Sequence, residues 1–262
     1  MTKIPNLFYS ADAAFTDNTG GTIIPIRLLR AADYEELHGR ASASFSRQME
    51  QAGFLAKERQ VCFLRGENGS IVEILAGVNA PLSLYALAYI QEKLKAEFTA
   101  DFFKDHVFEI KSPLSAEDSL NAAIGWGLAT YRFDAYKKDK SKAPFPVLIW
   151  PELTDRKRVA AMIGALCIIK TLINIPANDL GTDELAEAAA EIAKQGRATF
   201  TRIVGEDLLK QNLPMIYHVG KASPRRPQLL EFTWGNEEHP QITLVGKGVV
   251  FDTGGLDLKP PP

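Results

Sequence analysis

Residues 244–260 read Leu-Val-Gly-Lys-Gly-Val-Val-Phe-Asp-Thr-Gly-Gly-Leu-Asp-Leu-Lys-Pro, and this run carries the strongest structural signal in the chain. Residues 242–245 are apolar or β-branched and are typical of a short strand, which leads into a glycine-rich segment. Ligand sites in α/β proteins lie at the carboxyl ends of strands, and glycine lets the backbone approach a ligand closely. The position is therefore right for a functional site that contains Lys247, Asp252 and Lys259.

These three side chains suit metal-assisted hydrolysis. A carboxylate such as that of Asp252 can bridge two divalent cations, and two neighbouring cations can activate water and polarise a carbonyl group. A nearby lysine ammonium can stabilise an anionic tetrahedral intermediate. One aspartate and two lysines do not complete a metal site, however, because divalent cations need several ligands. On spacing alone, the favoured interpretation is a glycine-rich loop after a core strand, with Lys247, Asp252 and Lys259 as solvated surface charges.

The composition excludes several classes of protein. Of the 262 residues, 46% are hydrophobic and 24% are charged, so the chain can bury a core as one large domain or two smaller ones. The net charge of -2 gives no electrostatic basis for binding nucleic acid or an anionic membrane. The two cysteines, Cys62 and Cys167, are too far apart to suggest a disulfide framework. With no signal-peptide pattern and no membrane-length apolar run, we expect a cytoplasmic protein.

The order of predicted elements indicates an α/β fold, since strands and helices alternate along the chain. Strands are predicted at residues 22–29, 61–65, 71–77, 106–111, 147–150, 200–204, 229–234 and 242–245. Helices are predicted at residues 32–53, 83–94, 115–138, 155–173, 182–195 and 206–211. The 115–138 helix rests on apolar spacing that reaches Tyr131, and Thr182 is the predicted N-cap of the 182–195 helix. The strands at 61–65 and 71–77 are predicted to form a hairpin with Asn68-Gly69 as its turn pair, and residues 223–226 are interpreted as a turn. The charged run at residues 137–142 and the prolines after it indicate a linker, so we expect one domain at residues 1–150 and a second at residues 151–262.

Residues 245–260 closely resemble the first metal-binding motif of the leucyl (cytosol) aminopeptidase family. Residues 125–134, 172–179 and 218–227 are similar to further stretches of that family. The resemblance implies a macro-like α/β domain at residues 1–150 and a connecting helix at 155–173. It also implies that residues 151–262 include the start of a catalytic α/β domain with a mostly parallel sheet.

The same resemblance implies a reaction and the residues that carry it. The family removes N-terminal amino acids from peptides with two divalent metal ions, Zn²⁺ or Mn²⁺, and its members assemble as hexamers. Lys247 would be a ligand or close neighbour of the first metal, and Asp252 would bridge the two metals. Lys259 would stabilise the gem-diolate that forms when water attacks the peptide bond.

The resemblance stops before the family's site is complete. A second aspartate ligand and an Asn-Thr-Asp-Ala-Glu-Gly-Arg segment, which the family carries downstream, do not occur before Pro262. We therefore expect an N-terminal portion of the enzyme that is inactive alone and does not bind both ions fully. The alternatives are a non-catalytic fragment that serves binding or assembly, and a fragment that does not fold stably.

Overall fold

The structure is a computed structural model, and it describes residues 7–10, 12–17, 20–138 and 144–251. Within these ranges, the strands are β1 (Phe15–Thr16), β2 (Thr22–Leu29), β3 (Val61–Arg65), β4 (Ile71–Gly77), β5 (His106–Ile110), β6 (Val147–Ile149), β7 (Thr199–Val204) and β8 (Gln228–Thr233). The helices are α1 (Tyr34–Arg40), α2 (Ala43–Gln51), α3 (Ala88–Glu97), α4 (Phe102–Asp105), α5 (Ala116–Leu128), α6 (Arg156–Asn174), α7 (Thr182–Gly196), α8 (Asp207–Lys210) and α9 (Pro214–Gly220).

The described residues fall into two compact units. One is Phe8–Ile168, and the other comprises the described residues after Ile168 together with Leu7. No helix in the described part of the chain is long and apolar enough to cross a membrane.

A six-stranded sheet organises the first unit, and β2 is an inner strand of it. The strand order is β1-β6-β5-β2-β4-β3, and every neighbouring pair is parallel except β3 and β4. In the register of β2, Ile24 lies beside Phe108 on β5, and Ile26 lies beside both Ile110 on β5 and Ile74 on β4. The predicted α/β fold class is therefore confirmed, and the sheet of this first unit is mostly parallel.

Both faces of this sheet carry apolar clusters, because alternate residues of a strand point to opposite faces. On one face, Ile24 and Ile26 pack in a large cluster with residues of α3, α5 and α6, including the fully buried Trp126. On the other face, Leu29 and Leu75 pack with Met49 of α2 in a smaller cluster. Burial on both faces explains why β2 and β4 are rich in branched apolar residues.

The second unit has a smaller sheet. β7 and β8 pair antiparallel, with Phe200 beside Phe232, and α7 packs against both strands. The resemblance implied a mostly parallel sheet in residues 151–262. Among the described residues, however, all parallel pairing lies in the first unit, and β7 and β8 of the second unit pair antiparallel. The strand predicted at residues 242–245 is wrong, because this segment has no regular secondary structure and pairs with no strand of the described chain.

Several predicted helix boundaries are also wrong, and local hydrogen bonds explain two of them. The helix predicted at residues 32–53 is interrupted, since Ser42 has extended backbone angles and its hydroxyl accepts a bond from the Phe45 amide, which starts α2 afresh. The helix predicted at residues 115–138 ends at Leu128, where the Thr130 hydroxyl donates to the Gly127 carbonyl at 2.7 Å. The helix predicted from residue 83 begins only at Ala88, and α9 was not predicted.

We predict that Gly77→Ala destabilises the first unit by about 1–3 kcal/mol, the usual cost of forcing atoms into a packed region. The backbone of Ala56 and Lys57 passes Gly77 so closely that a Cβ there would lie 2.0 Å from the Lys57 carbonyl oxygen. Gly39→Ala in α1 is the matched control, because a Cβ at Gly39 meets nothing within 4 Å. Urea unfolding followed by circular dichroism measures both variants. Equal stability of the two would contradict the close crossing.

Candidate functional site

Lys247 is the one predicted site residue within the described ranges. It lies in the irregular segment after β8, and its side chain is exposed. The next residue, Gly248, lies against α7, since a Cβ there would be 3.2 Å from Leu185 Cδ2. Asp252 and Lys259 lie outside the described residues, so their arrangement around Lys247 stays a prediction.

The described residues do not fit a two-metal centre. Within residues 7–10, 12–17, 20–138 and 144–251, no group of three or more His, Cys, Asp or Glu side chains could hold a metal ion. Divalent cations need several such donors. The described chain therefore provides no carboxylate cluster that could complete a metal site with Lys247. No reaction step through a metal follows from these residues.

The two buried thiols offer no alternative nucleophile. Burial raises the pKa of the Cys62 thiol to about 11, so it is protonated at neutral pH. Cys167 is fully buried in the large apolar cluster of the first unit. Reactive cysteines need thiolate character and access, and these side chains lack one or both.

Arg225 connects two of the family-like stretches, residues 172–179 and 218–227. Its guanidinium donates through Nη1 to the Ala177 carbonyl at 3.0 Å and through Nη2 to the Asn178 carbonyl at 2.5 Å. Nη1 also lies 3.5 Å from the Glu184 carboxylate. The planar guanidinium can make these contacts together because its donors are held in a fixed fork. Arg225 thus fixes the loop that leads into α7.

Gly181 makes room for this guanidinium at the start of α7. A Cβ at Gly181 would lie 1.9 Å from Arg225 Nη1, so a larger residue cannot occupy this position without moving the arginine. The Gly181 amide donates to Glu184 Oε2 at 2.9 Å and is thereby capped. The prediction that Thr182 is the N-cap is wrong: Gly181 is the N-cap, and the buried Thr182 hydroxyl has no hydrogen-bond partner in the described chain.

A second polar network fastens α7 to the β7–β8 pair. Gln228 on β8 donates through Nε2 to Asp183 Oδ1 at 2.8 Å and accepts from Arg202 Nε at 2.6 Å. Arg202 on β7 also pairs with Asp183. Asp183 and Glu184, adjacent in the first turn of α7, therefore hold different parts of the unit. Both carboxylates are also favourably placed near the positive end of the helix dipole.

Sequence reasoning missed Arg225, because residues 223–226 were interpreted as a turn. Its partners are backbone carbonyls 47 and 48 residues away in the sequence, and no local pattern marks such a contact.

We predict that Arg225→Ala weakens the start of α7 by about 1–2 kcal/mol, because it removes charged hydrogen bonds to two carbonyls at a half-buried position. The amide of Leu180, which donates to the Pro176 carbonyl, should then exchange with solvent about tenfold faster. Arg225→Lys should give an intermediate rate, since a lysine keeps the charge without the fork. Hydrogen exchange by mass spectrometry measures this, with the exposed Lys221→Ala as control. Unchanged exchange in Arg225→Ala would show that the loop does not depend on the guanidinium.

Comparison with known proteins identifies both parts of the chain. Residues 24–151 match the profile of the M17 aminopeptidase N-terminal domain, and residues 167–262 match that of the cytosol aminopeptidase family catalytic domain. A probable cytosol aminopeptidase of Agrobacterium fabrum is 33% identical over 230 residues, covering 80% of this chain and 46% of that protein.

Solved structures give the same result. The fold is similar to a crystal structure of a cytosol aminopeptidase from Coxiella burnetii, with a TM-score of 0.74, 29% identity and coverage of 95% of this chain and 52% of that one. It is also similar to the bottromycin maturation enzyme BotP in complex with Mn, with a TM-score of 0.66, 26% identity and coverage of 92% and 51%. The chain spans about half the length of these relatives. Two adjoining family profiles, the sequence relatives and the fold together show that this chain belongs to the cytosol aminopeptidase (M17) family.

Proposed function

We propose that the whole protein is a leucyl-type metallo-aminopeptidase that removes N-terminal amino acids from peptides. The observation that carries this proposal is the match of residues 167–262 to the family's catalytic domain, because this range contains Lys247, Asp252 and Lys259. The match of residues 24–151 to the family's N-terminal domain supports it independently.

Within this function, Lys247 and Asp252 are metal ligands and Lys259 stabilises the anionic intermediate. The ions are Zn²⁺ or Mn²⁺, and the manganese complex of BotP supports the second of these. The described residues lack the carboxylate cluster that a pair of ions needs. We propose that the remaining donors lie in the part of the family's catalytic domain that the relatives carry beyond their match to this chain.

We also propose the organisation that the sequence predicted, with a macro-like domain at residues 1–150 and a catalytic portion at residues 151–262. The family matches at residues 24–151 and 167–262 are compatible with this boundary. A cytoplasmic location and a hexameric assembly complete the proposal. The name shared by the relatives, cytosol aminopeptidase, supports the location.

A non-catalytic role in binding or assembly is the second candidate for residues 1–262 by themselves. The absence of a metal-binding cluster from the described ranges favours it. So does the first unit, which has a core of its own, with apolar clusters on both faces of its six-stranded sheet. Calorimetric titration with Mn²⁺ separates the two roles. Tight binding of two ions per chain would contradict the non-catalytic candidate.

We predict that residues 1–262 alone do not hydrolyse leucyl-p-nitroanilide in the presence of Mn²⁺ or Zn²⁺. A chimera in which residues 1–262 replace the matching part of the Agrobacterium fabrum protein should be active, because that protein supplies the missing donors. Lys259→Ala in the chimera should lower kcat about 10²–10³-fold, the usual effect of removing one group that stabilises an oxyanion.

Two further chimera variants complete this experiment. Asp252→Asn should lower both activity and the number of bound ions, because an amide is a poor bridging ligand for two cations. Lys194→Ala, an exposed position near the end of α7, is the control and should leave kcat within about twofold, as surface substitutions usually do. Robust activity of residues 1–262 alone, or full activity of Lys259→Ala, would overturn the site assignment.

A further inference from the structure

A cavity of about 550 Å³ lies between one face of the six-stranded sheet and the helices α1 and α2. Strands β2, β3 and β4 supply its floor, and the two helices with the loop between them supply its walls. α1 has no buried residue, so this helix stands over the cavity instead of packing closely on the sheet. Every residue that lines the cavity belongs to the first unit.

The floor of the cavity is apolar. It consists of buried side chains of the smaller apolar cluster, and the half-buried Leu37 and Phe45 of the helices pack against the same cluster. Small-molecule sites are usually concave and mostly apolar, enclose about 300–1,000 Å³ and carry a few placed polar groups. This cavity has the size and the apolar surface of such a site. The buried floor residues are Leu29, Met49, Leu64 and Leu75.

A carboxylate on the floor, that of Glu73, retains capacity to accept hydrogen bonds. Arg27 contacts it through Nε and Nη2, both 2.8 Å from the same oxygen, Oε1. An ionised carboxylate can accept about four hydrogen bonds, so these two contacts leave Oε2 able to accept from a bound group. The Glu73 side chain is only 15% exposed, and a charge-assisted hydrogen bond is strong at a carboxylate so far removed from water.

The charges around the cavity indicate the sign of a ligand that would fit it. Asp33, Glu36 and Glu73 contribute three carboxylates, whereas Arg27 and Arg40 contribute two guanidinium groups. Both guanidinium groups already pair with a carboxylate of the same lining, Arg27 with Glu73 and Arg40 with Glu36. An anionic ligand would have to compete with these pairs. The excess of one negative charge therefore favours a ligand with a cationic group.

We propose that this cavity is a binding site for an α-ammonium group that carries an apolar side chain, as in a free apolar amino acid or the first residue of a peptide. Glu73 accepts a hydrogen bond from the ammonium group, and the apolar side chain lies on Leu29 and Leu75. The site lies in a different unit from Lys247, so it is a second site for such molecules. Its supply with substrates or products rests on the proposed function, whereas the cavity and its charges do not.

Calorimetric titration of residues 1–262 tests this proposal, with EDTA present to exclude metal-dependent binding and hydrolysis. At about pH 6.5 the α-amino group of L-leucinamide is protonated, and we expect saturable binding of one molecule per chain. N-acetyl-L-leucinamide has the same side chain without the ammonium group and should bind at least about tenfold more weakly. L-leucine and L-leucyl-L-leucine distinguish the two sources: tighter binding of the first assigns the site to free amino acids, and of the second to peptides.

Three variants locate the binding site. Glu73→Gln removes the charge with little change of size and should weaken L-leucinamide binding at least about tenfold. Ala41→Phe places a ring in the cavity from the half-buried loop between α1 and α2 and should abolish binding. Glu109→Gln is the matched control, because this carboxylate on β5 pairs with Lys111 at 2.6 Å and lies outside the cavity. It should leave the affinity within about twofold.

Thermal unfolding shows whether each variant folds, and Ala41→Phe decides the result if Glu73→Gln does not fold. The proposal is overturned if L-leucinamide does not bind, if N-acetyl-L-leucinamide binds equally well, or if a folded Glu73→Gln or Ala41→Phe variant keeps the original affinity. Binding of L-leucinamide in EDTA together with an inactive chimera would support this site and contradict the proposed function. The two ideas therefore fail in distinguishable ways.

Discussion

A strand that is apolar on both faces must have hydrogen-bonding neighbours and an apolar layer on either side, and this constraint governs both units of the molecule. β2 satisfies it, because β4 and β5 flank it in parallel and apolar clusters cover its two faces. Residues 242–245 have a comparable composition without such neighbours in the described chain. The same chemical pattern therefore gives an ordered core strand in one place and an exposed segment in the other.

This contrast explains which elements could be predicted from the sequence. The 22–29 strand and the 61–77 hairpin form where they were predicted, because their patterns are local and the pairing partners lie in the same unit. Gly69, in the predicted turn of that hairpin, has a positive φ of 77°, which glycine adopts without strain. The 242–245 strand fails for the opposite reason. Its composition is right, but strand formation depends on a neighbour and not on propensity alone.

Helix boundaries failed where one side chain competes with the periodic pattern. The apolar spacing of residues 32–53 continues across Ser42, yet its hydroxyl starts a new helix there. Residues 131–134 were interpreted as part of a helix because the apolar spacing reaches Tyr131. The helix nevertheless ends at Leu128, where the Thr130 hydroxyl donates to the Gly127 carbonyl. Apolar periodicity reports which face is buried, whereas side-chain hydrogen bonds set where a helix begins and ends.

The residues of the candidate site and its surroundings also differ in whether a local sequence pattern could reveal them. Lys247, Asp252 and Lys259 could be found from the sequence, because the motif around them is contiguous. Arg225, which holds two loops of the same unit together, could not, because its contacts join distant positions. Burial of Ile242, Leu244 and Val245 would contribute about 1.5–3 kcal/mol each, and these side chains directly precede Lys247. Packing that covers them would also restrict the backbone that carries Lys247. A metal ligand must be held within a few tenths of an ångström of its productive position, so ordering of this backbone would favour the role proposed for Lys247.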